Sequence, residues 1–292
     1  MSGFSVFGAT FRNPVLLAAG TAGFGREVAG IIDLEALGGI STKAVSPEPR
    51  AGNAPPRVSE TPGAMLNSIG LANPGLEAVK AEYLPWLRSH HPDLRVIVNV
   101  VGHTVDDFIA VVRGLAEEQG ITAFELNVSC PNVERGGTEF GADEAVLSSL
   151  VRRARDATSR PLVVKLSPLL AEPARSSAAA VQAGADGFTC INSLPATSFP
   201  GVEAASKRLG RGPGGVSGPP LLERGIAMVA AVRAATGKPV IGTGGIRTAG
   251  DARAYLAAGA SLVSVGTAAL ADPRAPERIA RELEQKGAHA AA

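Results

Sequence analysis

Short apolar runs recur along the chain, separated by longer stretches whose apolar residues fall at helical spacing. Eight runs read as strands, at 15–19, 39–43, 95–101, 123–128, 162–166, 187–191, 239–243 and 262–266. Several, such as VIVNVV, PLVVKL and SLVSVG, are apolar almost throughout, the pattern of parallel strands covered on both faces. Helices are predicted after them at 25–37, 74–89, 104–119, 142–157, 172–183, 220–235, 249–258 and 275–285. Pro74 and Pro220 suit a first helical turn, and Thr104 precedes the acids Asp106 and Asp107. Gly38, Gly120, Gly184, Gly237 and Gly259 stand at helix ends, where left-handed C-caps belong.

Eight strands alternating with eight helices predict a (β/α)8 TIM barrel, one domain over 1–292. The residues before Pro14 suit a small hairpin across its floor. A doubly wound open sheet is the competing architecture, but it carries a GxGxxG turn after its first strand, and AAGTAGFG lacks that spacing. Three connections, 44–73, 129–141 and 192–219, exceed the usual few residues. All leave C-terminal strand ends, the face that carries the active site in barrels.

Composition narrows the function. Of 292 residues, 28 are basic and 27 acidic, for a formal net charge of +1. Without a basic stripe, phosphate-driven nucleic-acid binding is excluded. Hydrophobic residues at 45% exclude disorder, and no apolar run reaches the roughly 18–20 residues of a membrane span. MSGFSVFGATFRNP lacks the basic-then-apolar order of a signal peptide. Two cysteines build no disulfide framework, so a reduced, cytoplasmic protein is expected. Glycine, at 35 residues, marks backbone that turns tightly or approaches a ligand.

Lys43 (GGISTKAVS) and Lys165 (PLVVKLSP) end strands whose residues should be buried. An ammonium there needs a polar pocket or a partner, and the structural alternative is an ion pair with a carboxylate such as Glu125. Asn99, Asn127 and Asn192 also fall near strand ends, although asparagine is a poor strand former. Their amides suit a ring with imide groups or an isoalloxazine edge. Cys130, in NVSCPNVERGG beside Asn127 and Asn132, is the candidate nucleophile or base; Cys190, inside FTCIN, reads as core. His90, His91, His103 and His289 show no metal-site spacing, and no nucleophile elbow is present, so no metal is expected. Gly242-Thr243-Gly244-Gly245-Ile246 follows the seventh strand and Gly266-Thr267 the eighth, the usual phosphate site in barrels. That signal fits sugar-phosphate isomerases as well as flavin mononucleotide enzymes. GPGGVSGPP lets backbone run close to a flat cofactor.

Taken in order, PRVSETPGAMLNSIGLANPG, FELNVSCPN, VVKLSP, GGVSGPP and IGTGGI closely resemble the dihydroorotate dehydrogenases, from Asn13 to about Asp272. With EPRAGNAPPRV ahead of them, the chain most resembles the catalytic subunit of the heteromeric, NAD-linked bacterial class. The resemblance implies an FMN-containing barrel that oxidises (S)-dihydroorotate to orotate in pyrimidine synthesis. It implies that Cys130 is the catalytic base, where membrane-linked relatives have serine, and that Lys43 touches both flavin and substrate. Asn67, Ser68, Ile69, Gly70 and Leu71 would cradle orotate, with Asn127, Asn132, Asn192 and Ser193 completing the pocket. Lys165 would stabilise the charge of reduced flavin. Ala19, Ala44, Asn99, Asn127, Ile191 and Gly218 would line the flavin, and Gly244, Gly245, Gly266 and Thr267 would hold its phosphate. The resemblance further implies a homodimer and an electron-transfer subunit carrying FAD and an iron–sulfur cluster, for which this chain has no cysteine cluster.

Three departures stand out. Ala19 replaces a common serine, Ser193 replaces the usual threonine, and SLPATSFPGVEAASKRLGRGP at 193–213 differs from the family pattern. The last of these puts the exact substrate in question more than the flavin, and the electron acceptor (NAD, fumarate or another) is left open. The alternatives are a related FMN enzyme acting on another pyrimidine-like ring, a non-redox sugar-phosphate barrel, and a catalytically silent scaffold subunit.

Overall fold

Val15–Leu17 is the first of eight strands that close into a parallel barrel. The structure is a computed structural model; it describes residues 4–129, 131–132 and 138–289, and of 131–132, 138 and 286–289 the backbone alone. The other barrel strands, in chain order, are Gly39–Ser41, Arg95–Val100, Ile121–Asn127, Leu162–Leu166, Gly187–Cys190, Val240–Thr243 and Leu262–Val265. Each pairs in parallel with the next, and the eighth pairs with the first, so the sheet has no edge. The predicted (β/α)8 barrel is what forms.

Side chains two residues apart on a strand share a face. Leu16, Ile97, Ala123, Val163, Ile241 and Leu262 form one buried cluster with Val6 and Phe11 of the N-terminal hairpin, Phe4–Val6 with Ala9–Phe11. That cluster is the barrel floor. The hairpin turn has Phe7 and Gly8 at positive φ, 53° and 70°, as a type I′ turn requires. Gly187 carries no side chain there because the Phe7 ring fills the space, with Cε1 2.6 Å from where a Cβ would stand. Two residues further along the same strands the inward positions turn polar: Asn99, Glu125, Lys165, Thr189, Thr243 and Ser264, all buried.

The helices outside the barrel include Val105–Leu115, Glu144–Ala157, Pro173–Gln182, Leu222–Thr236, Ala249–Ala257 and Ala275–His289. Thr104 and Asp107 close a capping box at the first of these. The predicted helix at 74–89 forms in pieces: Leu76–Ala78, a π-helical turn Val79–Tyr83, then Leu84–His90. Pro85 lacks an N–H, and the wider turn accommodates it.

The predicted helix at 25–37 does not form. Gly25 stands at φ 89°, isolated turns follow it, and Asp33 caps a 3-10 turn at Leu34–Ala36 through the Glu35 N–H. Gly120, Gly184, Gly237 and Gly259 take positive φ as expected, but Gly38 does not. It is glycine because a Cβ would collide with the Asn13 carbonyl.

Two of the long connections are not irregular. Val58–Thr61, Ala64–Asn67, Leu194–Pro195 and Gly215–Ser217 pair into one antiparallel sheet. In the third, residues 131–132 pair with 138–139.

Candidate active site

Above the polar layer the barrel opens at the C-terminal strand ends into a cavity of about 1020 Å³, with the antiparallel sheet as one wall. Lys43, Ala44, Asn67, Ile69, Gly70, Leu71, Asn192 and Ser193 line it. So do Ala19, Asn99, Asn127, Lys165, Ile191, Gly218, Gly244, Gly245, Gly266 and Thr267. Ser68 does not. Its N–H donates to the Arg57 carbonyl at 2.8 Å, and its hydroxyl accepts from Asn53 Nδ2 at 2.9 Å and donates to the Arg211 carbonyl. Cys130 lies outside the described residues, and of Asn132 only the backbone is described. Sequence reasoning missed Gly20, Thr21, Ser129 and Arg247, which also line the cavity. For Ser129 the only signal was its place beside Cys130.

Hydrogen bonds fix the polar side chains. Glu125, 1% exposed, accepts from Asn99 Nδ2 and from Thr189 Oγ1, both at 2.6 Å, and Lys165 Nζ lies 4.0 Å from Oε1. The ion pair foreseen as the structural alternative therefore exists for Lys165, which still lines the cavity. Asn99 Oδ1 is buried without a partner among the described residues. Asn127 Oδ1 accepts from Ser129 Oγ at 2.7 Å and from Asn192 Nδ2 at 3.3 Å, and Asn192 Nδ2 also donates to Ser129 Oγ.

Lys43 has no carboxylate within ion-pair distance among the described residues. Burial, then the charges of Arg57 and Lys165, hold its ammonium below the ordinary lysine range. Burial pushes the Glu139 carboxyl up, against a hydrogen bond with Ser167. It also pushes up the thiol of Cys190, which packs in the core as its strand position suggested.

At the other end of the cavity, Gly244 and Gly245 take φ of 115° and 76°, conformations that favour glycine. A Cβ on Gly245 would stand 2.8 Å from the Leu222 N. No acceptor among the described residues takes the N–H groups of Gly244, Gly245, Gly266 or Thr267. At the start of the next helix, the Asp251 carboxylate already takes the Arg247 and Thr248 N–H groups, each at 2.9 Å. Tyr255 braces the loop from below, its hydroxyl 3.0 Å from the Thr243 carbonyl and 2.8 Å from that of Gly244.

Of the divergent segment 193–213, only Ser193 lines this cavity. The rest adds the strand Leu194–Pro195 to the outer sheet and lines a separate cleft of about 660 Å³ that includes Phe199 and Lys207. Its influence on the cavity is indirect: Arg208 holds Ser59 Oγ at 2.9 Å, and also the Glu60 carbonyl.

No helix among the described residues is long and apolar enough to cross a membrane. Comparison with known proteins agrees with the motifs. Residues 1–286 match the family described as dihydroorotate dehydrogenase. A Cutibacterium acnes protein named dihydroorotate dehydrogenase B (NAD(+)), catalytic subunit, is 44% identical over 280 residues, 96% of this chain and 91% of its own. Proteins of the same name from Geobacillus kaustophilus (44% over 266 residues, 91% and 84%) and Desulforudis audaxviator (43% over 281 residues, 96% and 91%) are similarly close. A match over nearly the whole chain, with the family's motifs gathered around one cavity, shows that this chain belongs to the dihydroorotate dehydrogenase family.

Proposed function

We propose that this chain oxidises (S)-dihydroorotate to orotate in pyrimidine synthesis, as one FMN-binding barrel domain. The observation that carries the cofactor reading is the cradle of Gly244, Gly245, Gly266 and Thr267, whose N–H groups have no acceptor among the described residues. The family works with a flavin, and FMN matches this cradle with a single terminal phosphate. Asn99 Oδ1, buried and unpartnered, supports a flat ring that brings an N–H. Ala19, Ala44, Asn127, Ile191 and Gly218 complete the ring's walls in this reading.

FMN, when bound, supplies the two-electron acceptor. The protein supplies position, charge and a base. Lys165, which lines the cavity, would help hold the bound ring and favour its negatively charged form. Lys43, with no carboxylate within ion-pair distance among the described residues, would meet the ring and the anionic substrate. Asn67, Ile69, Gly70, Leu71, Asn127, Asn132, Asn192 and Ser193 orient that substrate. Cys130 Sγ takes the proton from the carbon beside the substrate carbonyl, which leaves the adjacent carbon to give up its hydrogen with two electrons. A thiol with an ordinary pKa near 8.5 needs only a modest depression for this task. Ser129 lines the cavity, so the chain reaches its edge one residue before Cys130.

Relatives named catalytic subunit imply a partner. In this reading a second subunit with FAD and an iron–sulfur cluster carries electrons to NAD, two copies of this chain pair, and the assembly works in the cytoplasm.

The test uses the purified chain supplied with FMN. It should be yellow, and anaerobic dihydroorotate should bleach it. C130A should keep its flavin while bleaching slows by about 10²–10⁴-fold. A chain that stays colourless after FMN is supplied refutes the cofactor, and a yellow chain inert to dihydroorotate refutes the substrate.

A further inference from the structure

Among the described residues Glu125 is the one fully buried acid of the barrel interior, and the proposed chemistry leaves it without a task. It is 1% exposed, two residues above the apolar floor position Ala123. Each neighbour that reaches it is a donor: Asn99 Nδ2 at 2.6 Å, Thr189 Oγ1 at 2.6 Å and Lys165 Nζ at 4.0 Å. A carboxylate ringed by donors only accepts. The Asn99 amide must therefore turn its NH2 to Glu125, and its carbonyl is forced the other way. That carbonyl is buried and has no partner among the described residues, on a residue that lines the cavity.

We propose that Glu125 is a positioning residue: it locks Asn99 as an acceptor reserved for the imide N–H of the bound flavin, and it holds Lys165 beside the same ring. The inference rests on the reading that the cavity takes FMN. Two consequences follow. A ring lacking that N–H leaves the Asn99 carbonyl unsatisfied, so the site discriminates at this atom. The negative charge of Glu125 also offsets part of the Lys165 charge, so the site favours an anionic reduced ring less than a bare lysine would.

The experiment compares wild type, E125Q and T189V, each titrated with FMN and with FMN methylated at the imide nitrogen, alongside the midpoint potential of the bound flavin and a thermal melt. Wild type should bind FMN at least tenfold more tightly than the methylated form. In E125Q the neutral amide can accept or donate, so Asn99 is free to flip and the preference should collapse to within about threefold. Its bound flavin should also become easier to reduce by about tenfold in the reduced-to-oxidised ratio, about 30 mV for two electrons. T189V removes a neutral donor and should keep both the preference and the potential.

A merely structural role for Glu125 would lower the melting temperature of E125Q while leaving preference and potential in place, and that result overturns the inference. Equal binding of both flavins by wild type overturns it as well, and that arm does not depend on E125Q folding. If wild type binds neither flavin, the FMN reading itself is what fails.

Discussion

Replacing Gly225 with alanine puts a methyl group where the Tyr255 hydroxyl sits. Gly225 lies inside the helix Leu222–Thr236, where an ordinary Gly→Ala change stabilises by about 0.8–1 kcal/mol. Here the new Cβ would collide with the Tyr255 hydroxyl, 2.9 Å from its Cζ and 3.1 Å from the Thr243 carbonyl. The ring cannot retreat: it is wholly buried, and Gly242 has already been left without a side chain to admit it. Overpacking a core costs about 1–3 kcal/mol. A displaced hydroxyl releases the Gly244 carbonyl, and losing a buried partner costs about 1–3 kcal/mol more. Against a propensity gain near 1 kcal/mol, G225A should be destabilised by roughly 1–5 kcal/mol. For a domain of this size that is a fall of roughly 2–8 °C in melting temperature.

Because the same hydroxyl braces the Gly244 turn, FMN affinity should fall with it, and a fluorescence titration reads that directly. The control is G250A, in the helix Ala249–Ala257, whose Cβ would meet only Thr248 Oγ1 at 3.4 Å. It should melt at or above the wild-type temperature. If G225A melts as high as wild type, the contact between helix and phosphate loop through Tyr255 is not what demands glycine at 225.

Two further predictions concern the other end of the cavity and the floor. Lys43 is held below the ordinary lysine value of 10.5 by burial and then by Arg57 and Lys165. An anion such as orotate favours its charged form, so orotate binding should weaken as pH rises through the pKa that Lys43 has in the free protein. K43M should bind more weakly and lose that slope; a slope kept in K43M assigns the titration elsewhere. The ligand-free protein should gain stability over the same alkaline window up to 10.5, because there the unfolded chain binds the proton more tightly. Phe11, wholly buried in the floor cluster, should cost about 3–5 kcal/mol on replacement by alanine, while flavin content at saturation stays constant. A loss under about 1 kcal/mol in a urea titration would show that the hairpin does not plug the barrel.

The barrel was legible because its signals are local. Apolar runs, proline starts and glycine ends each sit within a few residues of the element they define, and the eight strands lie where those signals point. The outer sheet was not legible. Its strands are short and half polar, and Asn67 meets Gly215 across 148 residues of chain. Nothing local announces such a pairing. The failed helix at 25–37 shows the converse: its apolar spacing was adequate, but Gly25 in a left-handed conformation and the Asp33 cap give the backbone better local options than a helix. In the site, motif position carried nearly every cavity residue. It failed at Ser68 because a motif names consecutive residues, whereas an extended segment sends neighbours to opposite sides.

The three asparagines at strand ends show why residue type alone underdetermines a site. An amide is nearly symmetric in shape, so its neighbours decide which end faces a ligand. Asn127 has its carbonyl taken by Ser129 and Asn192, and its NH2 has no acceptor among the described residues. Asn99 is held the other way, its NH2 taken by Glu125 and its carbonyl left without a partner. Asn192 spends its NH2 on Asn127 and Ser129, and its carbonyl on the Ser193 N–H. One cavity thus presents a donor from Asn127 and an acceptor from Asn99, while Asn192 lines it and also holds its neighbours in place. Donor and acceptor together match the alternating carbonyl and N–H groups of imide rings, which both an isoalloxazine and a pyrimidine carry. The assignment depends on residues that strand pairing brings together: Glu125 lies opposite Asn99 on the adjacent barrel strand, 26 residues further along the chain. Only the pairing of these strands converts three identical side chains into a donor, an acceptor and a support.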